Sequence, residues 1–198
     1  GWDFRSSIEF LCRRAGIAAP DWGKDTPEER AAYLEREEIF DIAVSVFEKE
    51  LWNNPAALNY ARSRGWTDET IHSAQLGYTG DFGDRPKMTK ALHDAIVLGG
   101  GDPRSVAGVA MVGFQGDVKR WLHDHDLDDH PGWIEQGYIP GFVGRDLLVY
   151  PHFRYGHCVY FSGRYIKDHF TKDGEKLKKS INLASVLVGQ KQVYFNWQ

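Results

Sequence analysis

One segment, residues 148–164, constrains the fold of this chain more than any other. Within it, two short runs rich in β-branched and aromatic residues flank Tyr155-Gly156. Such runs on either side of a glycine-containing turn predict an antiparallel β-hairpin, with strands over 147–153 and 158–163. The second strand ends in Ser162-Gly163-Arg164. Small residues there let a ligand approach the backbone, and an arginine beside them suits a phosphate-bearing ligand.

The chain before this hairpin is predicted to be mainly helical. Apolar spacing and capping residues predict helices over residues 3–15, 26–52, 54–64 and 67–77. Weaker patterns predict further helix over 87–98, 118–123 and 131–136, and a last strand over 192–196. This order of elements predicts an α+β fold, in which N-terminal helices precede a small, mostly antiparallel sheet.

The charge of the chain is unevenly distributed. The whole sequence has a net charge of −4, but residues 1–140 have −9 and residues 141–198 have +5. A basic C-terminal part predicts an anionic partner, although a solvated basic face has the same composition. Tyrosines lie among the cations, and this combination suits phosphates together with unpaired bases. The cations of this set are Arg154, Arg164, Lys178, Lys179 and Lys191.

Residues 123–130 are the strongest candidate for a metal site in the sequence. His123, His125 and His130 lie among aspartates, and imidazole and carboxylate are ligands that Zn²⁺ and other transition metals prefer. Because adjacent side chains point in different directions, we predict that this segment holds no metal. Metal-dependent stabilisation of the protein would support the alternative.

The sequence lacks the short motifs of a self-contained active site. It has no nucleophile elbow, phosphate loop or dinucleotide-binding fingerprint. Cys12 and Cys158 form no CxxC pair, and both are predicted to be buried. We therefore predict no catalytic residue, no metal ligand and no cofactor within this chain. No apolar run reaches the length of a membrane span, and we expect a cytoplasmic protein with no membrane partner.

Several segments follow one another in a distinctive order. They are Ser7–Ile17, Ile39–Leu51, Ala57–Ile71 with Gln75–Tyr78, Gln136–Tyr138, Val149–Pro151, Gly156–Arg164 and Lys179–Asn182. In this order they resemble the bacterial DnaG-type primases and their phage and plasmid relatives. The family pattern A-x-x-Y-L-x-x-R-G, followed by an x-L-G-(Y/F) segment, gives the most specific match. The patterns (I/M)-F-P, G-R-V-I-G-F-G-G-R and K-Y-L-N resemble the last three segments.

The resemblance implies how the chain is organised. Residues 1–25 correspond to the last helix of a zinc-binding domain and its linker, and residues 26–198 to the N-terminal subdomain of the polymerase core. The segment from about residue 82 to residue 117 is expected to be an insertion. The resemblance places Mg or Mn in a Toprim domain and Zn in a zinc ribbon, both outside this chain. The resemblance therefore implies that this chain is inactive alone. Because the chain begins with Gly1 rather than Met, we expect an excised fragment.

The resemblance also implies which residues bind the template. Arg164 and Lys179 match the family patterns directly. Arg145, Arg154, His157 and Lys191 are carried over more weakly. Leu147 stands where the family often has arginine, and Ser162 replaces a glycine.

The implied activity is synthesis of RNA primers on single-stranded DNA. Its partners are the DNA template, nucleoside triphosphates and, through regions outside this chain, a replicative helicase. The degree of divergence indicates a phage or mobile-element origin. The alternative is a non-catalytic, primase-derived interaction module that binds a replication protein through its acidic helical half.

Overall fold

The computed structural model describes residues 4–16, 27–125, 127, 137–171 and 173–183. The described helices are α1 (Phe4–Ala15), α2 (Pro27–Asn53), α3 (Pro55–Ser63), α4 (Asp68–Ser73), α5 (Arg85–Leu98), α6 (Val106–Val112) and α7 (Val118–Asp124). The described strands are β1 (Gly77–Tyr78), β2 (Phe114–Gln115), β3 (Tyr138–Ile139), β4 (Leu147–Arg154), β5 (His157–Tyr165) and β6 (Ser180–Asn182). None of these helices has the length and apolarity that a bilayer crossing requires.

The chain divides into two compact units, Gly1–Tyr33 and Leu34–Gln198. The first unit contains α1 and the beginning of α2. In α1, Cys12 is buried as predicted, whereas Phe10 and Leu11 are exposed. The second unit contains every described strand and the larger hydrophobic core.

The main sheet is antiparallel and has the strand order β1-β4-β5-β6. Its centre is the predicted hairpin, in which Arg154 pairs with His157 across the two-residue turn. Tyr155 and Gly156 in this turn have φ values of 53° and 88°. Positive φ at both central residues is typical of the tight turns that match strand twist, which explains the glycine. The hairpin prediction is confirmed.

One face of the sheet packs against α2. Phe161 of β5 lies edge-on to Phe40 and Phe47, with ring centroids 5.4 and 5.9 Å away. Gly77 of β1 touches the same helix, since a Cβ there would lie 2.5 Å from the Cβ of Phe47. A glycine is therefore needed for β1 to approach α2, and this contact fixes the edge of the sheet.

The opposite face is covered by α3 and α4 near β1 and β4. Leu58 and Ala61 of α3 and Ile71 of α4 form a second buried cluster with Tyr78 and Leu148. The helix starts follow the predicted caps: Asn54 accepts from the backbone N–H of Ala57 at 3.0 Å, and Thr67 from Thr70 at 3.2 Å. The sheet thus lies between α2 and the α3–α4 pair.

Tyr160 and Phe161 point to opposite faces of the sheet, as strand alternation requires. Both side chains are nevertheless buried. Tyr160 lies beside His152, and its hydroxyl donates to the carbonyl of Leu183 at 3.2 Å. Leu183, the residue after β6, therefore contacts a position that alternation alone would leave exposed.

Residues 82–117 are integrated into the main core. Met88, Leu92 and Ile96 of α5 and Met111 of α6 are buried with the α2 and sheet residues. Helix α6 and strands β1, β2, β3 and β6 had no counterpart in the predicted elements. The predicted helical turn over 131–136 and strand over 192–196 lie outside the described residues.

Candidate nucleic-acid interface

Strand register places four polar side chains in one strip. Ser162 lies opposite Asn182, and Arg164 lies opposite Ser180. Alternation puts Ser162 and Arg164 on the face away from Phe161, and the 2.8 Å hydrogen bond between Ser162 Oγ and His152 Nε2 agrees with that placement. Ser180 and Asn182 are exposed, and Ser162 and Arg164 are half-buried. We call these four residues the polar strip.

Arg164 is held in the strip by an uncharged partner. Its Nε donates to the hydroxyl of Tyr60 on α3 at 3.2 Å. Among the described residues, no carboxylate lies within ion-pair distance of Arg164. One guanidinium edge is therefore oriented while its positive charge stays uncompensated locally, which suits an anionic ligand.

Tyr150 shows that a second guanidinium lies near this point. The pKa of Tyr150 is raised to about 12, mainly by burial and then by nearby Tyr60, and the charges of Arg164 and Arg64 act in the opposite direction. Arg64 is exposed at the end of α3, and the Trp66 ring lies edge-on to Tyr150 at 5.6 Å. Two cations and three aromatic side chains thus converge where α3 meets the sheet.

The predicted lysines lie beside the polar strip on the connection to β6. Lys179 immediately precedes Ser180, and its carbonyl accepts from the backbone N–H of Tyr165 at 2.9 Å. Its Nζ is 3.6 Å from Asp168, whose other oxygen binds Lys176 at 2.7 Å. Lys178 is exposed. Because exposed ion pairs are weak, Lys179 can exchange Asp168 for a phosphate at little cost.

Arg145 lies at the same end of the sheet, just before β4. Its backbone N–H donates to Thr79 Oγ1 at 3.3 Å, and one terminal nitrogen donates to the carbonyl of Pro140 at 3.1 Å. Burial lowers the pKa of Arg145, and the nearby Arg85 lowers it further. We call Arg145, Arg164 and Lys179 the basic end of the sheet.

A buried carboxylate fixes the backbone beside Arg145. Asp146 has a φ of 59°, and its oxygens accept from the Tyr78 hydroxyl at 2.5 Å and contact His169 Nε2 at 2.8 Å. Burial and this carboxylate raise the pKa of Tyr78. The left-handed backbone of a non-glycine residue is costly, and these hydrogen bonds offset that cost. Asp146 is thereby engaged away from Arg145.

The other two predicted residues lie at the hairpin turn. Arg154 is exposed, with its guanidinium carbon 5.2 Å from the centre of the Tyr155 ring. His157 Nδ1 lies 2.8 Å from Asp41 Oδ2, and this hydrogen bond and charge raise the pKa of His157. Seven strand positions separate His157 from Arg164, a distance of roughly 20 Å. The structure therefore divides the predicted set between two ends of the hairpin.

Several predicted features cannot be placed at this interface. Lys191, Asp126 and residues 128–130 lie outside the described residues. Within the described part of the chain, no group of three or more metal-binding side chains occurs. His125 stacks on Trp121 at 4.3 Å, and its Nδ1 lies 2.7 Å from the Trp121 carbonyl.

Cys158 is fully buried, and burial raises the pKa of its thiol, so it is an unreactive core residue.

Sequence reasoning did not select Tyr60 and Arg64 as site residues. Both lie in the segment Ala57–Ile71, which carries the most specific family pattern, as its tyrosine and arginine. That family pattern was the feature of the sequence that could have identified Tyr60 and Arg64 as site residues. Their proximity to Arg164 depends on the packing of α3 against the sheet, which no local pattern reveals.

Solved structures of other proteins are similar to this chain. The zinc-binding and RNA polymerase domains of the Aquifex aeolicus primase align with a TM-score of 0.50 and 20% identity, covering 95% of this chain and 37% of that chain. The DnaG primase catalytic domain bound to single-stranded DNA aligns at 0.45 with 16% identity, over 78% and 40%. The DnaG catalytic core aligns at 0.40 with 14% identity, over 80% and 39%.

No protein-family model matches this chain, and no curated protein does. The chain spans less than half the length of each primase structure to which it is similar. The alignment to the Aquifex aeolicus primase confirms the predicted α+β fold and the predicted resemblance to the primase core at the level of the fold.

Proposed function

We propose that this chain is the template-binding part of a DNA primase. In the complete protein it would position single-stranded DNA for RNA-primer synthesis, which is a nucleotidyl transfer. Catalytic metal ions, Mg or Mn, and a structural Zn would be held by regions outside this chain. The polar strip and the basic end would bind the template, and nucleoside triphosphates would be the substrates.

One observation supports this proposal most directly. Arg164 and Lys179, selected separately from the sequence, lie on neighbouring segments, because Arg164 pairs with Ser180 and the backbone N–H of Tyr165 donates to the carbonyl of Lys179. Arg164 contacts a neutral tyrosine hydroxyl rather than a carboxylate of the described residues. Cations arranged along a groove with aromatic side chains beside them are what single-stranded nucleic acids bind.

The proposal predicts weak, salt-dependent binding of single-stranded DNA. Replacing Arg164→Ala together with Lys179→Ala removes two phosphate contacts, and each contributes about 0.7 to the slope of log affinity against log salt. We expect the slope to fall by about 1.4 and the affinity at low salt to fall at least tenfold. Fluorescence anisotropy of a labelled thymidine oligonucleotide over a salt series measures both quantities.

A charge-matched control is available on two other helices. Lys90 and Arg120 form i,i+4 ion pairs with Asp94 and Asp124 on the surfaces of α5 and α7. Lys90→Ala with Arg120→Ala removes one lysine and one arginine without touching the basic end. We expect this control to keep most of the affinity. Equal losses in both double variants would contradict the site, and absence of binding in the unaltered chain would favour the interaction module.

A further inference from the structure

A cleft separate from the polar strip opens between the start of α5 and the β2–β3 pair. Its volume is about 440 Å³, which lies within the range of small-ligand pockets. Arg85 and Thr89 line it from α5, Gln115 and Tyr138 from the paired strands, and Gly113 and Gly141 from the adjoining turns. The lining therefore combines one cation, the aromatic rings of Phe114 and Tyr138, polar and apolar side chains, and glycine backbone.

The backbone positions Arg85 at this cleft. Arg85 is the first residue of α5, and its Nε donates to the carbonyl of Gly144 at 3.3 Å. Gly144 has a φ of 61°, and a Cβ there would lie 2.4 Å from the Cβ of Arg85. The Phe82 ring lies 5.5 Å from the guanidinium carbon. Contacts with a carbonyl, a glycine and a ring thus orient Arg85 and leave its charge unpaired within the described chain.

A second guanidinium increases the positive potential behind the wall of the cleft. Arg145 donates to the carbonyl of Pro140, which itself lines the cleft. Its pKa is lowered first by burial and then by Arg85. No carboxylate of the described residues forms an ion pair with either arginine, and the carboxylate of Asp146 is engaged by Tyr78 and His169. Two neighbouring cations that form no ion pair with a described carboxylate favour a bound anion.

The opposite wall offers a planar surface. Tyr138 is 42% exposed, so part of its ring is available to stack against a ligand. Gln115 lies directly opposite Tyr138 in the register of β2 and β3. Its amide supplies both hydrogen-bond donors and an acceptor next to the ring. An aromatic ring beside an amide can hold a nucleobase by stacking and by hydrogen bonds.

We propose that this cleft binds a mononucleotide, with its phosphates on Arg85 and its base against Tyr138. The site goes beyond the proposed strand-binding face, because it uses Arg85, Gln115 and Tyr138, which neither the sequence patterns nor the polar strip include. A free nucleotide and a phosphate of a DNA strand share the chemistry that Arg85 recognises. The volume of the cleft favours the free nucleotide, and the experiment separates the two.

Calorimetric titration of the whole chain with ATP and with inorganic triphosphate tests the site. Arg85→Gln should weaken both ligands at least tenfold, since it removes charge-assisted hydrogen bonds. Tyr138→Leu should weaken ATP severalfold and leave inorganic triphosphate unchanged. Arg120→Gln, on the surface of α7, is the control and should change neither. Tyr138→Leu also keeps the test decisive if Arg85→Gln fails to fold.

A thymidine oligonucleotide distinguishes this site from the strand-binding face. Arg85→Gln should leave oligonucleotide affinity unchanged, and Arg164→Ala with Lys179→Ala should leave ATP affinity unchanged. ATP binding that depends on Arg164 and Lys179 instead would overturn the proposal, as would no ATP binding at all. Equal loss of oligonucleotide and ATP in Arg85→Gln would show that the cleft takes a strand phosphate, and would also overturn it.

Discussion

The two ends of the β4–β5 hairpin carry similar cations in different surroundings. At the turn, His157 faces the carboxylate of Asp41, and Arg154 lies over the Tyr155 ring. At the basic end, Arg164 is oriented by the neutral hydroxyl of Tyr60. The same two strands therefore hold a cation with an internal counter-charge at one end and a cation without one, among the described residues, at the other.

The partner of each cation distinguishes cations that stabilise the fold from cations that can bind a ligand, and it does so more clearly than charge alone. A cation whose counter-ion belongs to the protein stabilises the fold and must lose that partner before it binds a ligand. A cation oriented by a neutral donor or acceptor keeps its charge for a ligand. We infer that the turn attaches the hairpin to α2, and that Arg164 at the basic end is available to a phosphate.

The largest expected change in stability comes from replacing Asp41, which attaches the turn to α2. Its Oδ1 accepts from the backbone N–H of Cys158 at 2.7 Å, while Oδ2 contacts His157. Asp41→Ala leaves a part-buried N–H without that acceptor, so we expect the free energy of unfolding to fall by about 2 kcal/mol. Single-strand affinity should change less than twofold. Urea denaturation and oligonucleotide binding measure the two effects.

Two control variants, one at Asp41 and one at a nearby acid of α2, make this prediction specific. Asp41→Asn keeps an oxygen for the Cys158 N–H but removes the charge, and should lose about half as much stability. Glu37→Ala removes one acid from the preceding turn of α2 and should lose less than about 0.5 kcal/mol. If Asp41→Ala is no more harmful than Glu37→Ala, the turn is not attached in this way.

A smaller, pH-dependent effect is expected from His157. Asp41 raises the pKa of His157 above its ordinary value of 6.5 in the folded protein. The pair therefore stabilises the fold in full below about pH 6.5, and this stability is lost as the pH rises through the folded-state pKa. The melting temperature of the unaltered chain should exceed that of His157→Gln at pH 5.5, with a smaller difference at pH 8.5. A difference independent of pH would contradict the ion pair.

The features that local sequence predicts are those whose causes are local. The hairpin follows from two apolar runs and Tyr155-Gly156, and the starts of α3 and α4 follow from Asn54 and Thr67 as caps. Strand β1 has two residues, and its pairing of Gly77 with Val149 joins distant parts of the chain. Neither apolar spacing nor a turn marks such a strand, so it could not be predicted.

The same limit applies to the candidate site. Arg164 and Lys179 were selected because each lies in a recognisable segment, but their adjacency depends on the pairing of β5 with β6. The roles of Tyr60 and Asp41 depend on helices packed against the sheet. Asp41 and His157 are 116 positions apart, and no pattern in the sequence connects them. Partners across the fold, rather than residue types, therefore distinguish the two ends of the hairpin.

The smallest effect is expected from Arg154, the predicted binding residue at the turn. Its contact with the exposed Tyr155 ring contributes about 0.5 kcal/mol, so Arg154→Ala should change stability little. A short oligonucleotide bound at the basic end does not extend the roughly 20 Å to the turn, and its affinity should change less than twofold. An oligonucleotide long enough to span that distance tests the boundary of the interface. If Arg154→Ala weakens the long oligonucleotide as much as Arg164→Ala does, the template follows the whole hairpin and the division between its ends is wrong.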